Sequence, residues 1–224
     1  MKIFLIHGQN HIGTTARIGR AVAKKLGGEV KEFFLPRDFH EFCVGCGNCF
    51  NISEEKCPHY SKIKDITKAM DEADILIFTS PVYVYHVTAP MKAFLDHFGY
   101  QWMIHRPKPS YFTKQAVLIS TAAGAGTKST LKDMEDSMFF WGVGKIYKMG
   151  FNVHALTFNH VSSDTKKMMS KKINEVVREI KSNQGKITGM SLKQKALFEV
   201  MRKLQKAGKF SETDNEYWKE QGWI

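Results

Sequence analysis

Cys43, Cys46, Cys49 and Cys57 are the entire cysteine content of this 224-residue chain, and they fall together as C-x2-C-x2-C-x7-C. Thiolates so closely spaced, with Gly45 and Gly47 between them, can wrap a cubane iron–sulfur cluster. Each iron corner needs one sulfur within a small radius, and the backbone must curl tightly to supply four. Zinc also accepts four thiolates, although paired C-x2-C knuckles are its usual arrangement, and the same residues can stand as free thiols. In a reducing compartment the grouping reads as metal-binding or redox-active rather than as a disulfide framework.

A second chemistry is spread over three segments. Gly8-Gln9-Asn10-His11-Ile12-Gly13-Thr14-Thr15 follows a short apolar run and opens a helical pattern. Glycines let the backbone approach a ligand, hydroxyls donate hydrogen bonds, and a helix N-terminus offers free amides and a positive dipole end, a combination that suits a phosphate. The segment lacks the glycine patterns of nucleoside triphosphate and dinucleotide sites, so a monophosphate fits it better. Ser80 to Pro90 is stiffened by two prolines and offers Val82, Tyr83, Val84 and Tyr85 as a flat apolar wall for an aromatic ring. Thr121 to Thr127 is made of small residues that allow close approach to a planar group. Core packing and a plain flexible connection are the alternative uses of these last two segments. Together, the three describe a mononucleotide with a large aromatic head.

The elements that must position these segments alternate regularly. Strands are expected at Lys2–His7, Gly28–Leu35, Asp74–Ser80, Gln115–Thr121 and Phe151–Phe158, and helices at Thr14–Leu26, Lys62–Glu72, Thr88–Phe98, Thr127–Phe140 and Thr165–Lys181. Near-continuous apolar strands alternating with helices predict an α/β fold, a five-stranded parallel sheet in the doubly wound order 2-1-3-4-5 with helices on both faces. Ligands of such sheets bind beyond the carboxyl ends of the strands, where the three segments lie. After Ser182-Asn183-Gln184-Gly185 the pattern breaks. A further helix, Ser191–Lys206, is expected to bury Leu192, Ala196, Leu197, Val200, Met201 and Leu204, and an aromatic tail carries Tyr217, Trp218 and Trp223. The chain is thus read as a domain over residues 1–184 and a helical C-terminal extension over 185–224.

Ser80-Pro81-Val82-Tyr83 with Ala89-Pro90-Met91-Lys92-Ala93-Phe94-Leu95-Asp96, behind the Gly8–Thr15 segment, resembles the NADPH-dependent FMN reductase family of flavodoxin-like proteins over roughly Lys2 to Lys181. The resemblance implies FMN, with its phosphate on Gln9, His11, Gly13, Thr14 and Thr15 and its isoalloxazine between Pro81, Val82, Tyr83, Val84, Tyr85 and Ala123, Gly124, Ala125, Gly126, Thr127. Where relatives often carry Ser-Pro-Arg in the phosphate loop, this chain has Gln9-Asn10-His11. The cysteine spacing looks like the compact motif of iron–sulfur flavoproteins, a branch of that family with a 4Fe–4S cluster beside FMN. Relatives without a cluster carry similar cysteines as free thiols.

The implied activity is FMN-dependent oxidoreduction from NADH or NADPH to a small acceptor such as a flavin or quinone. The alternative is an electron carrier working between FMN, a 4Fe–4S cluster and redox proteins. In either, the flavin performs the transfer and no side chain is assigned as acid or base. A homodimer or tetramer with the flavin near a subunit boundary is also implied. His86 and His97 flank the tyrosine segment and are read as structural rather than as proton donors to the flavin. Arg106 and Lys108 are read either as solvated loop charges or as partners for a nicotinamide phosphate.

The formal charge of +11 admits anionic partners. Seven basic residues against Glu199 alone between Lys186 and Lys209 put part of that excess in the C-terminal region, where a solvated face is expected rather than membrane contact. A basic zinc module on nucleic acid is disfavoured because no recognised nucleic-acid motif is present. The apolar stretch Ile75–Met91 is broken by Pro81 and Pro90, so no membrane span is expected. The four apolar residues after Lys2 are too few for a secretion signal, which gives a cytoplasmic expectation.

Overall fold

A computed structural model describes residues 1–187 and 189–224; Thr188, inside the expected extension, lies outside them. Five parallel strands, β1 (Lys2–His7), β2 (Glu29–Phe34), β3 (Ile75–Pro81), β4 (Gln115–Ala122) and β5 (Lys145–Asn152), form one sheet in the order β2-β1-β3-β4-β5. Alternation of side chains along a strand divides the interior in two. Ile3 and Leu5, Ile75 and Ile77, Val117 and Ile119 face α1 (Thr14–Leu26) and, further along the chain, a long helix at Ser163–Asn183. Phe4 and Ile6, Leu76 and Phe78, Ala116 and Leu118 face the other layer. That layer is built by α3 (Tyr60–Glu72), α4 (Ala89–Asp96) and α5 (Thr127–Phe140). The three central strands are buried on both faces, which is why they read as continuous apolar runs. A four-residue helix, α2 (Asn48–Asn51), interrupts the long connection between β2 and α3; the Ser163–Asn183 helix is α6.

The fifth strand is displaced from its expected place. It spans Lys145–Asn152, and the expected strand Phe151–Phe158 overlaps it by two residues before running into irregular backbone. Lys145, Lys148 and Gly150 disguise the strand. At the sheet edge the lysines point to solvent, with Lys148 paired to Glu135 of α5 at 2.8 Å, and a charged edge of this kind discourages pairing with another chain. Gly150 lets α5 come close: a Cβ there would stand 3.0 Å from Thr127 and Leu131.

Beyond α6, α7 (Leu192–Lys206) and α8 (Glu212–Glu220) pack on the domain through a third apolar cluster of Met103, Phe198 and Trp218, joined by Phe112, Tyr217 and Trp223. The buried face of α7 matches the expected one only in part. Gln194, Phe198 and Gln205 are buried, Leu197, Met201 and Leu204 are half-buried, and Leu192, Ala196 and Val200 are exposed. The glutamines go inward because carbonyls await them: Gln194 Nε2 donates to Phe139 and Val143 oxygens at 3.1 Å, and Gln205 Nε2 to Ile104 oxygen at 2.9 Å. Among the described residues no helix is long and apolar enough to cross a membrane.

Candidate functional site

The carboxyl ends of β1, β3 and β4 open on a cavity of about 260 Å³. On one side lie Gly8, Gln9, His11 and the start of α1. Gly13 occupies the N-cap with no side chain to satisfy the first amides, whereas α4, α6, α7 and α8 are capped by Thr88, Ser162, Ser191 and Ser211. With no acidic residue in its first turn, α1 presents unpaired N–H groups and its positive dipole end to the cavity. His11 stands over this start, since a Cβ on Gly13 would lie 3.0 Å from its Nε2. The hydroxyls of Thr15 and Thr121 are joined at 2.6 Å, linking the first loop to the end of β4.

Pro81, Val82 and Tyr83 form the opposite wall. Tyr83 and His86 exchange backbone hydrogen bonds at 3.0 and 3.1 Å around a tight turn whose central residues, Val84 and Tyr85, have φ of 48° and 68°. A β-branched residue in the left-handed region is a strained choice that only a firmly held turn sustains. α5 supplies the hold: Ser129 Oγ donates to the Tyr85 carbonyl, and the Asp133 carboxylate accepts from Val87 N at 3.1 Å and stands 3.0 Å from His86 Nδ1. Thr88 ties this segment to the first loop by donating to Gly8 oxygen at 2.6 Å.

Of the residues expected to hold a mononucleotide, Gln9, His11, Gly13, Thr14, Thr15, Pro81, Val82, Tyr83 and Ala123 line the cavity. Val84, Tyr85, Gly124, Ala125, Gly126 and Thr127 stand outside its lining. Val84 and Tyr85 project from the turn tip, Gly126 passes beneath Val82 and Tyr85, and Thr127 packs on Gly150. Sequence reasoning missed the wall made by Val153, Ala155 and Leu156. Those three follow β5 and were concealed by its misplacement.

His7 closes the cavity floor. Its Nε2 lies 2.8 Å from Glu32, whose carboxylate also accepts from Arg20 at 2.6 and 2.9 Å. An ionised carboxylate only accepts, so Nε2 carries the proton and Nδ1 accepts from the Thr79 hydroxyl at 2.8 Å. Burial pushes His7 below its ordinary pKa against the pull of Glu32. Glu32 is held below the usual carboxylate range by Arg20 and His7, although burial opposes them.

The cysteines sit in the β2–α3 connection. Gly45 and Gly47, at φ of 66° and 73°, bend the loop, and Asn48 Nδ2 donates to Lys56 oxygen at 3.1 Å to hold its two halves together. Cys43 and Cys46 are exposed, Cys49 on α2 and Cys57 are half-buried, and none of the four is in a disulfide. Burial pushes the Cys49 thiol up to about 11, and Cys57, Cys43 and Cys46 add to the shift. Four cysteines on one loop bent by Gly45 and Gly47, two of them exposed and two half-buried, are a soft donor set whose chemistry fits a metal or cluster.

Beside Cys57 stand His59 and His97, with ligand atoms of all three within 4.8 Å of one another. His97 Nδ1 donates to Ala93 oxygen at 2.7 Å, so its Nε2 accepts from His59 Nδ1 at 2.9 Å. His97 thus belongs to the cysteine loop and His86 to the turn, and neither lines the cavity. Arg106 is neither solvated nor free for a nicotinamide phosphate: it is buried, 2.7 Å from Asp214. Lys108 pairs with Asp71 at 2.6 Å.

Comparison with known proteins agrees with this fold. An iron–sulfur flavoprotein of Archaeoglobus fulgidus is 25% identical over 95% of this chain and 94% of its own length. One of Methanosarcina thermophila is 27% identical over 83% and 100%. Among solved structures, an NAD(P)H:quinone oxidoreductase from Methanothermobacter marburgensis superposes with a TM-score of 0.60 at 15% identity, over 81% of this chain and 97% of that one, a likeness of fold. Residues 1–157, which carry every strand and all three cavity loops, match the family described as NADPH-dependent FMN reductase. The chain belongs to that family of FMN-dependent oxidoreductases and has its curated relatives in the iron–sulfur flavoprotein branch.

Proposed function

We propose that FMN occupies the carboxyl-edge cavity and that Cys43, Cys46, Cys49 and Cys57 bind a 4Fe–4S cluster, so that the chain moves electrons between a reduced donor and a small acceptor or redox carrier protein. Bound there, FMN supplies one- and two-electron transfer and the cluster one-electron transfer. The protein's part is placement. The free amides of α1, with Gln9, His11, Gly13, Thr14 and Thr15, take the phosphate. Pro81, Val82, Tyr83 and Ala123 face the ring, and the turn that carries the first three is held by Ser129 and Asp133 of α5. The observation that carries the reading is four unbridged cysteines on a glycine-bent loop in a chain whose sheet edge also offers an uncapped helix N-terminus.

A second reading, direct two-electron reduction by NADH or NADPH with the cysteines as free thiols, draws on the reductase members of the family. Arg106 and Lys108 do not serve it, being committed to Asp214 and Asp71. In both readings residues 1–184 are the FMN-binding domain and 185–224 an extension. Ile12, Tyr83, Val84, Tyr85 and Leu156 are large exposed apolar residues in or flanking the cavity loops, Val84 and Leu156 at 94% and 95% exposure. Such a rim suits burial against a second copy of the chain. Anaerobic purification with flavin, iron and acid-labile sulfide assays tests the proposal: FMN with about four irons and four sulfides per chain is expected. Flavin without metal favours the second reading, and failure to bind FMN after reconstitution refutes both.

A further inference from the structure

We propose that the C-terminal extension is the positioning element of the cysteine site: Asp214 of α8, acting through Arg106, and Thr213 of α8, acting directly, hold the short helix that carries Cys49. The inference rests on the reading of the four cysteines as cluster ligands. α2 has four residues, Asn48 to Asn51, too few to be stable alone. Its Asn48 carbonyl is used internally, by the amides of Ile52 and Ser53. The next three carbonyls are the orphan acceptors of a helix end, and each finds a donor from far along the chain. Arg106 Nη2 donates to Cys49 oxygen, Arg106 Nη1 to Phe50 oxygen at 3.2 Å, and Thr213 Oγ1 to Asn51 oxygen at 2.8 Å.

The extension also determines where Arg106 points. Its Nη1 meets Asp214 Oδ1 at 2.7 Å, while Asp214 Oδ2 lies 2.7 Å from His105 Nδ1; Asp214 is 1% exposed. The segment bearing Arg106 is stitched to α7 and α8 carbonyl by carbonyl. Gln205 Nε2 donates to Ile104 oxygen at 2.9 Å, Trp218 Nε1 to His105 oxygen at 2.5 Å and Tyr217 Oη to Pro107 oxygen at 2.8 Å. The planar fork of arginine suits this task, because it reaches two adjacent carbonyls and a carboxylate at once. Loosening this cap frees α2 and displaces the Cys49 sulfur from its three partners. The cavity loops hang on α5 and keep their shape.

The test compares wild type with Asp214→Asn, which removes the buried charge while keeping its shape, and Thr213→Val, which removes one cap bond and buries no charge. Iron and labile sulfide are assayed after anaerobic purification, FMN affinity is measured by fluorescence titration, and iodoacetamide labelling of the metal-free chain is resolved peptide by peptide. Both variants are expected to bind FMN as wild type does and to lose iron, with Cys49 alkylated about tenfold faster in Asp214→Asn, the size of a local opening, and Cys43 and Cys46 unchanged. Arg106→Lys, which keeps the charge but loses the fork, should fall between. If Asp214→Asn fails to fold, Thr213→Val decides. Unchanged iron content and unchanged Cys49 labelling in the folded variants overturn the proposal. A wild-type chain that takes up no iron overturns the cluster reading instead, and the labelling rates then still decide whether Arg106 holds Cys49.

Discussion

Gly124 and Gly126 are two residues apart in one loop, and the structure gives them opposite tolerances. Gly126 has φ of 99°, and a Cβ placed on it would lie 2.6 Å from Val82 Cγ1 and 3.2 Å from the Cα of Tyr85. Gly124 lies outside the left-handed range, and its Cβ would meet nothing within 4 Å. Gly126→Ala therefore incurs a left-handed backbone penalty of about 1–2 kcal/mol and an overpacking cost of about 1–3 kcal/mol. Relief of the clash has to move Val82, which lines the cavity, or the backbone at Tyr85 in the same turn, so the cost falls on the conformation that receives the ring. If half of a combined cost of about 3 kcal/mol appears in binding, FMN affinity drops roughly tenfold, at about 1.4 kcal/mol per decade. The rest appears as a lower melting temperature of the apo chain. Gly124→Ala should change stability by no more than about 0.5 kcal/mol and leave FMN affinity alone. Fluorescence titration with FMN and thermal melts of the two variants decide the matter. Equal behaviour of the pair, or wild-type affinity and melting in Gly126→Ala, refutes the placement of the third loop beneath the turn.

Three further outcomes are expected. Thr15→Val removes the 2.6 Å hydroxyl pair with Thr121 and, on the proposed reading, a phosphate donor, so FMN affinity should fall about tenfold while riboflavin affinity holds, since charge-assisted bonds are the strong ones; equal losses for both ligands in parallel titrations contradict the phosphate role. Trp218→Ala empties a fully buried site that stacks on Phe198 at 4.8 Å and should cost about 3–5 kcal/mol in urea unfolding. Burial depresses His7 in the folded state, so the unfolded chain binds more protons as pH falls below about 6.5, and the stability that His7 contributes, complete above that value, is lost on acidification. Glu32, also depressed, adds a loss of the same sign in the lower carboxylate window. Urea midpoints at neutral and mildly acid pH should therefore converge in His7→Gln, and an unaltered pH slope contradicts a buried neutral His7.

Much of this arrangement was legible in the sequence, and the parts that were not share a cause. β1, β3 and β4 are buried on both faces and declare themselves as apolar runs. The loops that follow β1 and β3, carrying Gly13, Thr15 and Tyr83, follow from the rule that a parallel sheet binds at its carboxyl edge. β5 was lost because an edge strand needs only one buried face, and Lys145, Lys148 and Gly150 break its hydrophobic signal. Val153, Ala155 and Leu156 disappeared from the cavity wall with it. Periodicity also placed the buried face of α7 only in part, because it ranks glutamine as an outward residue and has no knowledge of the carbonyls of Phe139, Val143 and Ile104 that draw Gln194 and Gln205 inward. Arg106 was read from its proline-flanked neighbourhood, whereas its partner Asp214 lies 108 positions away. Local pattern finds elements; it does not find donors for distant acceptors.

Those same long-range polar contacts divide the labour of support between the two sites. Val82, Tyr85 and Val87 are held by Gly126, Ser129 and Asp133, all in or at the start of a helix of the sheet domain itself. Cys49, Phe50 and Asn51 are held by Arg106 and Thr213, whose placement depends on α7 and α8. A loop of left-handed glycines and a four-residue helix has little stability of its own, so its geometry is borrowed from the aromatic cluster of Phe198, Trp218 and Trp223 that seats the extension. Weakening that cluster therefore acts on the thiols before it acts on the cavity loops. In a chain where both sites are filled, the order of loss on partial unfolding should be cluster first and FMN second, because the cysteine loop hangs on the smallest apolar cluster of the three.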